Sequence, residues 1–196
     1  MGFSGIILAG GRSTRMGQDK AQMIYHNETM LERTVKELKK VADEIILASN
    51  NKNKYNLAGL TEVSDIYPGM GPLGGMHAGL LHAKNMYAFV VSCDMPFFRW
   101  ELASFLLEKR EGYDVVVPEI GGNLEPLCAV YSKKCLDAIE KCIQSDIRKI
   151  IEFYPYVKVL KIKEAELRSF SAEAEKYFFN LNTPEDYHAL LRENNK

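Results

Sequence analysis

The sequence predicts an α/β protein: a Rossmann-like three-layer sandwich with a mostly parallel sheet covered by helices on both faces. Three observations carry this. Short apolar runs recur along the chain, stretches with helical apolar stripes separate them, and the runs are apolar throughout rather than alternating. A strand buried on both faces reads as a continuous apolar run. Strands that alternate with helices imply right-handed crossovers between parallel neighbours. A chain of 196 residues with 46% hydrophobic content can bury one core and is short for two, so one domain over 1–196 is expected.

The elements follow in order. Runs at 5–9, 44–49, 60–63, 87–92 and 114–118 are apolar enough, and mostly rich enough in β-branched or aromatic residues, to be strands. Between them, 29–41 sets Met30, Leu31, Thr34, Leu38 and Val41 on one helical stripe, 76–83 reads as a helix, and 100–109 spaces Leu102, Phe105 and Leu106 helically. Cys135 and Cys142 stand seven apart on a further helix, where core packing explains both. Near the end, Asn182-Thr183-Pro184-Glu185-Asp186 is a helix start, with Thr183 as N-cap, Pro184 in the first position and acids in the first turn.

Composition narrows the partner. Lys plus Arg total 25 against 26 Asp plus Glu, so no basic surface for nucleic acid is indicated and the basic residues that matter are local. The 4 cysteines form neither a C-x-x-C pair nor a dense disulfide framework. No run approaches the roughly 20 apolar residues that span a bilayer, so no membrane partner is expected and the cytoplasm is the default location.

The most informative segment is LAGGRSTRMGQDK, residues 8–20, a glycine-rich turn directly after the first strand. Arg12, Arg15 and Lys20 supply positive charge there, with no acid before Asp19. Glycines admit an anion close to backbone N–H groups, guanidinium matches phosphate oxygens two at a time, and Lys acts as a point charge. A cationic surface turn is the bland alternative. Two familiar nucleotide loops are excluded by spacing: Gly17 is followed by Gln18-Asp19 rather than Lys-Ser/Thr, and Arg12 stands where a dinucleotide fingerprint needs glycine. In open sheets of this class ligands sit beyond the carboxyl ends of the strands. Asp65 and Cys93-Asp94-Met95-Pro96 also follow strands, and Asp94 reads either as a helix cap or as a ligand for Mg²⁺ beside a triphosphate. A second glycine cluster, PGMGPLGG at 68–75, precedes the 76–83 helix; alone it is an ordinary turn, and with the first loop it outlines a cleft.

LAGGRSTRMGQDK, GPLGG, SCDMP and NLNTPED, in this order along the chain, resemble the nucleotidyltransferases of the molybdenum cofactor guanylyltransferase family. The resemblance implies a nucleotide-diphospho-sugar transferase fold and transfer of GMP from GTP to molybdopterin or Mo-molybdopterin, with pyrophosphate released and Mg²⁺ as cofactor. The double glycine Gly10-Gly11 is the family's mark for guanine. By the same resemblance, Leu8, Ala9, Gly10 and Gly11 line the nucleotide through their backbone, and Arg15 and Lys20 face phosphate. Asp65 and the Gly71-Pro72-Leu73 loop contact the nucleotide, Asp94 holds the metal, and Asn180 and Asn182 meet molybdopterin or the metal shell. Arg15, Lys20 and Asp94 would carry catalysis. Other cofactor-biosynthesis proteins and acceptor apoenzymes would be transient partners. Two departures stand out. Relatives often carry asparagine near the end of the second strand, where this chain has Ala48 followed by Ser49, Asn50 and Asn51, so no nucleotide contact is expected at Ala48. The alanine of the G-P-L-A-G loop is Gly74 here, which should leave base reading unchanged.

The implied reaction asks little covalent work of the protein, since an ionised phosphate attacks the α-phosphorus and positioning and charge dominate. His26, His77, His82 and His188 share no ligand spacing and read as structural or surface residues. A cytidylyltransferase, a sugar-phosphate enzyme on the same fold, or a non-catalytic GTP-binding module are the alternatives. Residues 121–126, GGNLEP, read equally as a loop over the cleft or as a plain hairpin.

Overall fold

The computed structural model describes residues 2–9, 19–50, 55 and 57–193. Strand β1 (Ser4–Leu8) is followed by a small hairpin, β2 (Ile24–Tyr25) and β3 (Glu28–Thr29). His26 and Asn27 turn that hairpin at φ of 52° and 62°, the left-handed pair that suits a two-residue connection. Then come α1 (Met30–Leu38), β4 (Glu44–Ala48), β5 (Thr61–Val63), α2 (Pro72–His82), β6 (Tyr87–Ser92) and α3 (Trp100–Glu108). The second half adds β7 (Val115–Ile120), β8 (Asn123–Leu124), β9 (Cys128–Ser132), α4 (Leu136–Gln144), β10 (Val159–Lys163), α5 (Glu164–Phe170) and α6 (Pro184–Glu193).

The main sheet runs β5-β4-β1-β6-β9-β7-β10, with β8 paired on β7. Pairs β4–β5, β1–β4, β1–β6 and β7–β10 are parallel, whereas β9 is antiparallel to both neighbours. Strand β9, which the sequence reading did not include, is antiparallel for a simple reason: the chain returns from β7 within residues 121–127, too short for the dozen or more residues of a parallel crossover. Residues 121–126 are accordingly a hairpin, with Gly121 and Gly122 at φ of 55° and 80° and Glu119 opposite Leu124.

Alternation along the strands separates two core layers. Ile6, Leu8 and Ile46 face α2 and α4, while Ile7, Ile45 and Leu47 face α1 and α3, and all are buried. α1 starts on a reciprocal cap in which Thr29 Oγ1 accepts from the Glu32 N–H at 3.1 Å and Glu32 Oε2 accepts from the Thr29 N–H at 2.7 Å. α6 begins as the sequence predicts, with the Asp186 N–H donating to Thr183 Oγ1 at 3.2 Å.

α2 corrects one expectation: it begins at Pro72, not at residue 76, so the PLGG portion of the second glycine cluster is its first turn. Proline at the first helical position loses no hydrogen bond and its fixed φ suits the helix. The glycines inside α2 are there for space. A Cβ on Gly79 would lie 2.6 Å from Ile6 Cγ2, in the fully buried centre of β1. Gly79→Ala gains up to about 1 kcal/mol of helix propensity but forces a β-branched core side chain to move, which costs about 1–3 kcal/mol. We expect overpacking to win, lowering the thermal midpoint by several degrees; an unchanged or raised midpoint in a melting experiment would show that Ile6 yields freely.

Candidate active site

The carboxyl ends of β5, β4, β1 and β6 are tied together by backbone hydrogen bonds. The Ala9 N–H donates to Ala48 O at 3.0 Å, the Ser49 N–H to Val63 O at 2.9 Å, and the Cys93 N–H to Leu8 O at 3.2 Å. The structure therefore places Leu8, Ala9, Asp65 and Asp94 along one rim. Gly10, Gly11, Arg12 and Arg15 lie outside the described residues.

Past that segment the chain enters a single 3₁₀ turn, Lys20–Gln22, capped by Asp19, whose Oδ1 accepts from the Ala21 N–H at 3.1 Å. This turn aims Lys20 into the rim. Its Nζ donates to Asp94 Oδ2 at 2.8 Å and to Asn182 Oδ1 at 3.3 Å, with the Lys20 and Asp94 side chains 20% and 14% exposed. The other carboxylate oxygen, Oδ1, accepts from Ser92 Oγ at 2.6 Å. Asp94 is not a helix cap: the residue before α3 is Arg99, and the free Trp100 N–H is taken by Glu37 Oε2 at 3.1 Å. That leaves its carboxylate for the cleft. The C-terminal segment is docked beside it, with the Leu181 N–H donating to Asp94 O at 2.9 Å. Asn182 is in turn held through its backbone N–H by Asp186 Oδ2 at 3.0 Å, and the N–H groups of Thr183 and Asn182 keep the Asp186 carboxyl below its ordinary pKa. Asn180 behaves differently from Asn182: its amide donates to Phe178 O at 2.8 Å, within its own turn.

A second group forms around Asp65. Its Oδ2 accepts from Asn50 Nδ2 at 2.8 Å and its backbone N–H donates to Asn50 Oδ1 at 3.2 Å. It stands against the start of α2, where a Cβ on Gly74 would be 3.3 Å from Asp65 Oδ2 and 3.2 Å from Tyr67 O. Gly74 is thus part of a close helix contact, tighter than a loop position would require. Gly71 precedes the helix at φ 60°, and Pro72 is exposed. The Leu73 side chain is fully buried in the core beneath, which leaves only its backbone facing the cleft.

Four residues of these clusters went unread as site residues: Asp19, Asn50, Tyr55 and Ser92. Ser92 sits inside the SCDMP segment, two residues before the carboxylate it orients, so its signal was local. The contact of Tyr55 is long-range. Its hydroxyl lies 3.0 Å from Asp19 Oδ2 and 3.2 Å from Ala9 O, and burial followed by the Asp19 charge raises its pKa well above the usual phenol value, keeping it a donor. Cys93 is also at the rim but inert, because burial and then the Asp94 carboxylate push its thiol far upward. The Cys135 thiol, buried near Asp114, is pushed up to about 12. The histidines stay outside the rim; buried His77 pairs through Nε2 with Glu140 Oε1 at 2.9 Å.

Elsewhere, a cavity of about 200 Å³ lies between α1 and residues 95–99. Its four cations share two carboxylates, Arg33 and Lys36 on Glu28 and both Lys40 and Arg99 on Glu37. Among the described residues no three His, Cys, Asp or Glu side chains group to cage a metal, and no helix is long and apolar enough to cross a membrane.

The MobA-like NTP transferase domain matches residues 5–159. A probable molybdenum cofactor guanylyltransferase from Pelotomaculum thermopropionicum is 46% identical over 183 residues, 93% of this chain and 89% of the relative. The solved molybdopterin-guanine dinucleotide biosynthesis protein A from Archaeoglobus fulgidus superposes with a TM-score of 0.86 at 25% identity, covering 98% of this chain and 99% of that one. The 2-C-methyl-D-erythritol 4-phosphate cytidylyltransferase from Thermus thermophilus, at 17% identity and a TM-score of 0.73 over 100% of both chains, shares the fold. With matched segments this long and a relative this similar, the chain belongs to the molybdenum cofactor guanylyltransferase family of MobA-like NTP transferases.

Proposed function

We propose that this chain, as a single nucleotidyltransferase domain in the cytoplasm, transfers GMP from GTP to molybdopterin or Mo-molybdopterin and releases pyrophosphate. One observation carries the reading: an ion pair, Lys20 with Asp94, stands where the parallel neighbours β1 and β6 end, close in sequence to a glycine-rich segment. The names of its relatives supply the substrates.

In this reading, the backbone of Leu8, Ala9, Gly10 and Gly11 lines the nucleotide on one side. Asp65 and the Gly71-Pro72-Leu73 turn line it on the other. Arg15 and Lys20 bind the triphosphate. A terminal phosphate oxygen of molybdopterin forms a bond to the α-phosphorus of GTP, the bond to the bridging oxygen breaks, and pyrophosphate leaves with the electron pair. Lys20 and Arg15 offset the charge gathered on the phosphate oxygens. Asn182, and Asn180 once its amide is released from Phe178 O, face the second substrate.

The donor set fits Mg²⁺: one carboxylate, Asp94, oriented by Ser92 Oγ, with oxygen donors nearby in place of a cage. Such an ion usually keeps several waters and takes one or two carboxylates plus phosphate oxygens. When bound, it supplies charge neutralisation and a template for the triphosphate. The test is pyrophosphate release with Mg²⁺ and molybdopterin, comparing GTP, CTP, ATP and UTP. Release with GTP alone is expected. Release with CTP would make this a cytidylyltransferase, and GTP binding without release would make it a binding module.

A further inference from the structure

Near the end of β4, where relatives often carry asparagine, this chain has Ala48. Ala48 is the last residue of β4 and lies under the first turn of α2, its Cβ 3.5 Å from where a Cβ on Gly75 would stand. Two residues on, Asn50 reaches across to β5 and grips Asp65 twice, through its side-chain N–H₂ on the carboxylate and its side-chain oxygen on the backbone N–H. Five residues further, Tyr55 reaches the opposite way. Its hydroxyl is shared between Ala9 O and Asp19 Oδ2, the two described residues that bracket 10–18.

Asp19 has two oxygens with separate tasks. Oδ1 caps the turn that carries Lys20, and Oδ2 meets Tyr55. A carboxylate with one fixed oxygen still rotates about χ2, a broad torsion; fixing the second oxygen holds the cap and with it the direction of Lys20. The same logic applies to Asp65. Without Asn50 it retains its neighbours at Gly74 and Gly75, yet loses the donor that fixes which oxygen faces the cleft.

We infer that Asn50 and Tyr55, both in the connection between β4 and β5, are positioning residues for nucleotide binding: Asn50 sets Asp65, and Tyr55 sets Asp19 and through it Lys20. This rests on the proposed nucleotide reading. Asn50 and Tyr55 thereby preorganise groups on either flank of β1, and preorganisation lowers the ordering cost of binding.

Tyr55→Phe and Asn50→Ala test it in the intact protein, since one removes a single oxygen and the other trims an exposed side chain. Each is expected to raise KM for GTP about 5–20-fold with kcat within about 3-fold, with a matching loss in equilibrium binding of GTP with Mg²⁺. The free proteins should melt within a few degrees of wild type. Hydrogen exchange should quicken at the Ala21 amide in Tyr55→Phe and at the Asp65 amide in Asn50→Ala. Effects on separate flanks should multiply in the double variant. If wild type binds GTP and both variants bind it equally well, the side chains are structural and the positioning role is wrong. Unchanged exchange at those two amides overturns it as well, whatever KM does. A wild-type protein that binds no GTP removes the functional reading first and this role with it, and the wild-type titration alone reveals that case.

Discussion

Asp94→Asn will reduce Mg²⁺-dependent pyrophosphate release from GTP by about 10²–10³-fold while leaving the fold intact. The substitution keeps the shape of the side chain and an oxygen able to accept from Ser92 Oγ, but it removes the charge that Lys20 Nζ meets at 2.8 Å. A neutral amide is a poor ligand for a hard divalent cation, which prefers carboxylate oxygen. A loss of that size corresponds to about 2.7–4 kcal/mol at 1.36 kcal/mol per tenfold. Stability responds less. Breaking a buried pair is costly because it strands a charge, but Lys20 keeps Asn182 Oδ1 at 3.3 Å and a side chain 20% open to solvent, which puts the pair nearer the modest surface regime. Thermal melts of the variant should stay within about 4 °C of wild type. Steady-state assays over a range of Mg²⁺ separate the outcomes: unaltered turnover removes Asp94 from the mechanism, and collapse of the melt would make the residue structural.

That carboxylate was legible in the sequence because it follows a strand apolar enough to be recognised alone. The strands carrying the site, β1, β4 and β6, are continuous buried runs, and their C-terminal ends are where this class of sheet puts its chemistry. Other features were less visible. Strand β9, CAVYS, is also apolar, but its direction depends on the short return from β7 rather than on its residues. The early start of α2 was hidden because Gly74 and Gly75 read as a turn. A Cβ on Gly74 would lie tight against Tyr67 O and Asp65, and one on Gly75 against Leu8, a property of packing that no local pattern contains. Between Asn180 and Asn182, the motif names both alike, and only the backbone tells them apart: one amide bonds within its own turn and the other faces Lys20. Asn50 and Tyr55 act across 15 and 36 residues of sequence, so only the folded chain reveals their partners.

Lys20→Met will produce two effects of opposite sign, and their separation is the evidence for its role. Methionine preserves the reach of the side chain and its apolar stem while deleting the charge. Binding of GTP should weaken by about 10–100-fold, since a hydrogen bond between charged groups is worth about 1.5–3 kcal/mol and a triphosphate in a partly closed site offers few other cations among the groups assigned to it. In the free protein, however, Lys20 occupies Asp94 Oδ2. Removing it leaves that carboxylate without its cation, so Mn²⁺, used as a reporter of the divalent site by its paramagnetic signal, should bind the nucleotide-free variant more tightly than wild type. For turnover the first effect wins, because the charge that must be offset in the reaction sits on phosphate oxygens rather than on Asp94. On the proposed reading, Lys20 would exchange one anion for another in wild type, passing from Asp94 to the triphosphate, and Asp94 would then be the carboxylate that holds a divalent cation. Nucleotide and metal binding would be coupled through that exchange, and linkage would make the coupling reciprocal. If Lys20→Met weakened Mn²⁺ binding to the free protein, or left GTP affinity unchanged, the ion pair would be a structural contact and the lysine would not be the group that receives the triphosphate.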